Sequence, residues 1–536
     1  MNRWKPLVVL GTAQFLMVLD ASVMNVSISQ LVEDFDTEVT AIQAVITLYT
    51  LVMAAFMLTG GRIGDMFGRR RVFVVGLMVY AVGSGLTAVA PTVGVLALGW
   101  SVIEGLGAAL VLPALAALVA GSYHGRDRAV AYGVIGGLAG AGIAVGPLLG
   151  GWVTTYLTWR LVFAGEVVLV VLILFLMGWV PGQAPPDRRP RLDVPGVVLS
   201  AAGLAVMVLA VLQSGTWGWV KPRNPPFTVL GFAPTLFAVA LGGALIYAFC
   251  VHERRREDKG LDPLVSLALF DNRTLRAGLV TLFNQNTVLL GLFFVIPLYL
   301  QVVQGLDAFE TGLRLLPVSV TMLAASMSGS LLLRFASPRT IARTGLLVLV
   351  AATLWLIAAI GPELRGGSFA GAMALLGAGM GMLASQLGNT VQSSVRQEER
   401  SEAGGLQYTA QNLGSSVGTA LIGAILIGAL ASSVTTRIED DPRVSAAVAE
   451  QTAVRVEAGV SFVPADDVAT ALAARPEVPP QEASALVESY RDAQIDGLKA
   501  AVLACTGITA GALLFTRRLP SARPPTDTRG APGTGE

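Results

Sequence analysis

Residues 60–71 read Gly60-Gly61-Arg62-Ile63-Gly64-Asp65-Met66-Phe67-Gly68-Arg69-Arg70-Arg71, four arginines and one aspartate interleaved with four glycines. On either side the chain turns apolar, from Leu51 to Leu58 before the segment and from Val72 to Val82 after it. So short a charged stretch between two apolar runs reads as the connection between two membrane-crossing helices. Basic charge alone would suit any loop on the positive side of a membrane. The glycines and Asp65 add something more specific, a tight turn that holds an ion pair against the adjacent helix ends.

Working outward, the same alternation recurs along all 536 residues. Hydrophobic residues make up 54% of the chain and charged residues only 14%, against roughly a quarter in soluble domains. The apolar residues gather in runs of about 20, the length that crosses a hydrocarbon layer of roughly 30 Å as a helix. Fourteen such helices are predicted, near 7–29, 42–61, 72–90, 94–120, 129–152 and 160–180, then 194–213 and 227–251, then 276–303, 312–333, 342–361, 368–391, 403–430 and 497–516. The first has basic residues ahead of it, as a secretory signal would, but it runs on past Asp20 without a cleavage site and reads as an uncleaved span.

Arginine and lysine accumulate in alternate loops: Arg3 and Lys5, Arg62 with Arg69 to Arg71, Arg126 and Arg128, Arg188 with Arg189 and Arg191, Arg254 to Arg256, Arg339 and Arg343, Arg396 and Arg400, and Arg517 and Arg518. The opposite loops are often acidic, as at Glu33, Asp34, Asp36 and Glu38. This predicts an even number of spans with both termini cytoplasmic, in the plasma (inner) membrane. The stretch Ser432–Asp496 is then an external loop with short amphipathic helices, and the Pro/Gly/Thr-rich residues 517–536 a disordered tail. The net charge of +1 points to no nucleic-acid partner. Cys250 and Cys505 lie in or at the end of apolar runs and read as free thiols, without a disulfide, a metal site or a cofactor. His124 and His252 both fall in cytoplasmic loops, and no nucleophile, base or metal cluster accompanies them, so an enzyme is not expected.

An ionisable side chain inside a span costs on the order of 3 kcal/mol and needs a reason. Asp20 in helix 1, Glu104 in helix 4 and Glu166 in helix 6 are such groups, with Glu104 near the midplane and Glu166 one to two turns below the outer surface, where interfacial water would also satisfy it. A carboxylate in low dielectric favours its neutral form, so it can exchange protons near neutral pH, as coupling to a proton gradient requires. No basic residue lies deep in the spans to neutralise them, and helices 7 and 8 carry no buried charge. Helix 5 is lined with glycines, and the four-residue spacing of Gly142, Gly146 and Gly150 lets helix backbones approach closely, while Pro147 favours a bend.

With these residues in view, the chain resembles a fourteen-helix drug:proton antiporter of the major facilitator superfamily. Gly61, Arg62, Gly64, Asp65, Gly68, Arg69 and Arg70 match the signature between helices 2 and 3, which implies a conformational latch in the outward-facing state. The run Gly142 to Gly151, with Gly146, Pro147 and Gly150, is similar to the antiporter motif of helix 5, and Leu19 to Val26 to the helix 1 signature. The family's helix 4 arginine, implicated in proton handling, is absent, and Glu104 occupies the place of the usual glutamine; around Ser27 to Ser29 the proline that commonly follows the helix 1 signature is replaced.

The resemblance implies an all-α integral membrane fold of two six-helix bundles plus a central inserted helix pair. The domains would be residues 1–180, an inserted pair within 181–260, a second bundle over 261–516 carrying the loop 432–496, and the tail. Arg334 to Arg343 would be a reduced copy of the latch, and substrate would bind between the bundles. Polar and aromatic candidates for that pocket are Asn25, Asn284, Gln285, Phe293, Gln407, Tyr408 and Gln411, which suit amphiphilic or cationic drug-like molecules. The expected partners are that small molecule, protons and membrane lipids, with a monomer as the working unit. The alternative is export of a specific metabolite, antibiotic or lipid on the same scaffold, with altered or absent proton coupling.

Overall fold

The computed structural model describes residues 3–37, 39–182, 192–222, 225–333, 335–446, 448–449, 452, 462–474 and 479–519. The predicted tail beyond 519, Arg188, Arg189, Arg191 and Arg334 lie outside the described residues. Among those described there is no strand, only an isolated bridge between Val229 and Phe232. The first bundle comprises α1 (Lys5–Val26), α2 (Val39–Phe67), α3 (Arg69–Ala88), α4 (Val93–Ser122), α5 (Gly125–Tyr156) and α6 (Arg160–Phe175). Then come α7 (Val194–Trp217) and α8 (Pro234–Asp258). The second bundle comprises α9 (Arg273–Leu298), α10 (Ala308–Leu332), α11 (Pro338–Ala359), α12 (Gly366–Ser393), α13 (Arg400–Asp440) and α14 (Pro480–Phe515).

Thirteen of these helices are long and apolar enough to cross a membrane. The helix α10 stands where the remaining span is predicted. Its hydroxyls turn to protein: Ser319 donates to the Gly140 carbonyl at 3.4 Å and Ser326 to the Gly381 carbonyl at 3.1 Å, on α5 and α12.

The external loop is smaller than predicted, because α13 and α14 run far beyond 430 and begin well before 497. With 41 residues α13 is about 60 Å long, twice the hydrocarbon thickness. Its outer end pairs with α14 through Leu430, Val434, Ile438, Leu486 and Tyr490, and Arg437 bridges Asp492 at 3.0 Å and Asp496 at 2.9 Å. One short helix, Ala465–Ala473, caps this hairpin.

Two hydrophobic cores divide the molecule, one built almost wholly from residues 7–180 and the other mainly from residues 264–519. Between them α7 lies against both α2 and α13, and α8 lies outside α7. The pair does contain buried charge, contrary to expectation. Glu253 near the end of α8 accepts from the Leu264 and Val265 amides at 2.6 and 3.2 Å. His252 belongs to α8 and not to a loop, and its Nε2 sits 3.0 Å from the buried Asp193 carboxylate. These groups fasten the inserted pair to the segment leading into α9. Both cysteines are free, Cys505 buried and Cys250 half-buried.

The opening segment forms a turn of a single residue. The helix α2 continues to Phe67, α3 starts at Arg69, and Gly68 alone breaks the path with φ +93° and ψ 128°. Only glycine occupies that region without strain. Gly68→Ala is therefore expected to destabilise the protein by about 1–3 kcal/mol, whereas Gly85→Ala, which meets only ordinary contact inside α3, should be neutral or slightly stabilising; thermal unfolding of the two variants in detergent checks this.

Candidate functional site

The three acids singled out on separate helices converge. Carboxylate oxygens of Asp20 on α1, Glu104 on α4 and Glu166 on α6 lie within 4.8 Å of one another, and each residue is at most 1% exposed. Counting along α1, Asp20 is about 22 Å from Lys5 at 1.5 Å per residue, and Glu166 is only about 9 Å from the start of α6. The cluster therefore sits in the membrane half away from the arginine-rich face, and Glu166 belongs to it instead of meeting water at the surface.

Local structure explains the convergence. The span α4 is π-helical over Ala97–Glu104, and such a segment re-aims the side chains around it. It presents Trp100 and Glu104 inward together. The Trp100 indole donates to Asp20 Oδ1 at 2.8 Å and stacks on Tyr49 at 4.5 Å, 7° from parallel. Tyr80 and Ser84 on α3 donate to Glu166 Oε2 at 3.2 and 3.0 Å. Asp20 Oδ2, Glu166 Oε1 and both oxygens of Glu104 find no hydrogen-bond partner among the described residues, and no basic side chain is ion-paired with the three. Tyr49, Tyr80, Ser84 and Trp100 escaped the sequence reading because a hydroxyl or an indole in a span costs little. The available signal was a set of polar-tipped aromatics on helices adjoining the acids.

The predicted latch joins the two bundles at the arginine-rich face. Arg69 is buried, pairs with Asp65 at 3.4 Å, and reaches across to α13 and the segment before it. Its Nε donates to Ser401 Oγ at 2.7 Å and its Nη2 to the Gln397 and Glu398 carbonyls at 2.5 and 3.3 Å. The approach is this close because Gly61 has no side chain: a Cβ there would stand 2.7 Å from the Ser401 carbonyl oxygen. Gly64 faces the Ser401 side chain, Arg70 donates to the Met177 carbonyl at 2.9 Å, and Arg62 is half-buried on α2. Arg400 adds a second crossing, donating to the Ala120 carbonyl at 3.1 Å. The second half does hold a buried acid, Glu402, which accepts from the Ser266 amide beside this closure. In the corresponding position of that half, Arg339 and Arg343 donate to Leu519 and Thr516 without crossing between bundles.

The glycines of α5 serve two faces. Gly142, Gly146 and Gly150 meet Val18, Ser22 and Val23 of α1, while Gly133, Gly137 and Gly140 meet Ser326, Leu323 and Met322 of α10. The predicted stripe is thus an intra-bundle seam, and a second stripe forms the contact between bundles. The helix is unbroken through this region. The side chains of Pro147 and of Asn25 lie outside the described residues, and Gly151 follows Gly150 as a buried residue of α5.

Of the pocket candidates, Tyr408 donates to Gln14 Oε1 of α1 at 2.9 Å, a buried bond between the bundles. Gln14 was missed, since an amide within a span carries no obvious penalty. Gln407 is buried with its Oε1 unpartnered among the described residues, and Gln411 is half-buried on the same helix. Asn284 is turned back onto the Val280 carbonyl at 2.8 Å, Gln285 is buried on α9, and Phe293 packs against the second core.

Comparison with known proteins gives this geometry a family. Residues 10–419 match the Major Facilitator Superfamily. The chain is 32% identical over 438 residues to a puromycin resistance protein of Streptomyces alboniger, covering 80% of this chain and 83% of that one. It is 27% identical over 516 residues to the multidrug efflux pump LfrA of Mycolicibacterium smegmatis, covering 95% of each. The crystal structure of the human organic anion transporter MFSD10 shares the fold with a TM-score of 0.60 at 12% identity, covering 96% of this chain and all of that one. A helical membrane protein with an arginine closure at one face and a match over most of its length is no enzyme: the chain belongs to the Major Facilitator Superfamily of transporters.

Proposed function

We propose that this protein exports small amphiphilic, drug-like organic molecules in exchange for protons, by alternating access between two six-helix bundles. The bundles are residues 1–180 and 261–516, with the inserted pair between them. It works as a monomer in the plasma membrane, with the arginine-rich face and both termini in the cytoplasm. The observation that carries this reading is the carboxylate trio within 4.8 Å without a basic partner. Like charges at this separation in low dielectric cannot all be ionised, so the trio holds protons and titrates as a unit. Its position away from the arginine-rich face suits loading from outside while Arg69 and Arg400 close the cytoplasmic side. The relatives that resist puromycin and expel multiple drugs support the direction and the substrate class. Gln407, Tyr408, Gln411, Asn284, Gln285 and Phe293 contribute to the substrate pocket between the bundles, with Gln14 holding Tyr408.

Coupling at the trio has a defined signature. In proteoliposomes, Asp20→Asn and Glu104→Gln should each lower pH-gradient-driven export at least about tenfold, while substrate counterflow without a gradient persists; undiminished gradient-driven export by both variants would sink the reading. Glu166→Gln removes a carboxylate that Tyr80 and Ser84 already support, and it should shift the pH profile of export rather than abolish it. An unchanged profile would take Glu166 out of the trio's titration. For the latch, a lysine offers a point charge where the guanidinium spans Ser401, Gln397 and Glu398 together. Arg69→Lys should therefore be nearly as impaired as Arg69→Ala in turnover, with substrate binding retained in both, as measured by initial rates and equilibrium binding.

A further inference from the structure

A second group of ligating side chains stands apart from the carboxylate trio and from the arginine closure. Asp193 precedes α7, and His252 and Glu253 lie near the end of α8, on the arginine-rich side. Ligating atoms of the three lie within 4.8 Å of one another. Both acids are at most 1% exposed, while the His252 side chain is 30% exposed and opens the cluster to water. The fold joins Asp193 to His252 across 59 residues, so no local pattern sets an acid beside this histidine. Glu253 Oε2 is held by the Leu264 and Val265 amides, and its Oε1 is buried without a hydrogen-bond partner among the described residues. That oxygen is aimed at Asp193. A Cβ on Gly196 would collide with Asp193 Oδ2 and stand 2.5 Å from Glu253 Oε1, so the two oxygens close over the same glycine. His252 Nε2 lies 3.2 and 3.0 Å from the two Asp193 oxygens. Arg256 approaches Asp193 Oδ2 at 3.4 Å, but its guanidinium is engaged by the Asp262 carbonyl at 3.2 and 2.9 Å.

We propose that Asp193, His252 and Glu253 bind a divalent transition-metal ion, zinc by preference. Two backbone amides favour the charged form of Glu253, and Arg256 favours that of Asp193. Two anionic oxygens therefore face each other over Gly196, and with a neutral imidazole the single nearby guanidinium leaves negative charge uncompensated. A dication between them meets that charge. An imidazole nitrogen with two carboxylates suits zinc, whereas magnesium and calcium take oxygen alone. A tetrahedral zinc with bonds of about 2.0–2.1 Å holds neighbouring donors about 3.3 Å apart. The spacing of His252 Nε2 from the Asp193 oxygens, 3.0 and 3.2 Å, is close to that. His252 binds as the tautomer protonated on Nδ1, with the Nε2 lone pair given to the ion. The Leu264 and Val265 amides orient the Glu253 ligand, and the fourth position faces water past His252. The ion thus ties α7, α8 and the segment entering α9 at one point, fixing the inserted pair to the second bundle. None of this depends on proton coupling or on the exported substrate.

The test uses the full chain purified in detergent without an affinity tag, carrying Cys250→Ser to remove the thiol two residues before His252. His124 is the only other histidine, so competing sites are few. Zinc retained after gel filtration is measured, together with thermal unfolding in zinc or magnesium. The expected result is about one zinc per chain and an unfolding temperature that rises with free zinc, with magnesium at the same concentration leaving it unmoved. Zinc affinity should fall at least about tenfold in His252→Ala and in Glu253→Gln. The glutamine keeps an acceptor for the Leu264 and Val265 amides, so this variant folds without the metal and keeps the comparison interpretable. Absence of zinc binding in the parent overturns the proposal and marks a proton shared between Asp193 and Glu253. Equal zinc binding in both variants overturns it too. Asp20→Asn should bind zinc as the parent does; loss of binding there would move the ion to the membrane trio and sink the assignment.

Discussion

An ion in hydrocarbon costs several kcal/mol unless something meets its charge, and the arrangement of this chain follows from where it accepts that cost. Its arginines stay at helix ends, where they cap carbonyls and bridge bundles. Its deep carboxylates do not receive arginines. They receive one another, together with an indole and hydroxyls, which is tolerable only while protons are shared among them. An arrangement that would be a defect in a structural core is a working state under the proposed proton coupling, in which the number of protons held would depend on which side of the membrane the trio samples.

The arginine closure and the trio occupy opposite ends of the first bundle, linked by rigid helices. Arg69 reaches three acceptors on the other bundle, Ser401 at the start of α13 and Gln397 and Glu398 just before it, and α13 is the helix that also carries Tyr408. Tyr408 in turn bonds Gln14, which precedes Asp20 on α1. One helix of each bundle thus connects the closure, the pocket residues and the acids. Buried hydrogen bonds of this kind are either made or broken, and under the proposed mechanism that bistability is what would let a proton at one end bias the closure at the other.

Hydropathy and alternating charge made the spans legible, because both reflect transfer free energies that each segment settles with the bilayer on its own. What they left out depends on neighbours. The length of α13 beyond residue 430 is set by pairing with α14 through Val434, Ile438 and Arg437, a soluble-type contact that a membrane scan does not register. Glu402 and Glu253 stand near helix ends, where charge draws no attention in a sequence, yet each is buried against backbone amides of the segment entering α9. For the site, Asp20, Glu104 and Glu166 were each visible as costly residues, but their meeting was not, since no local pattern relates helices 1, 4 and 6. The π-helical turn before Glu104 brings Trp100 and the acid to the same place, and its cause lies in the packing of α3 against α4, where Gly83 admits the Glu104 backbone.

The inserted pair acquires a mechanical meaning from the same logic. The two bundles meet along two seams, α2 against α13 and α5 against α10. On the first, α7 lies against both α2 and α13 and ties them through a common neighbour. On the other seam Gly133, Gly137 and Gly140 of α5 meet Ser326, Leu323 and Met322 of α10, and no inserted helix lies against them. Glycine at these positions brings the α5 and α10 backbones close together, so the seam without an inserted helix is held by the packing of the bundles themselves.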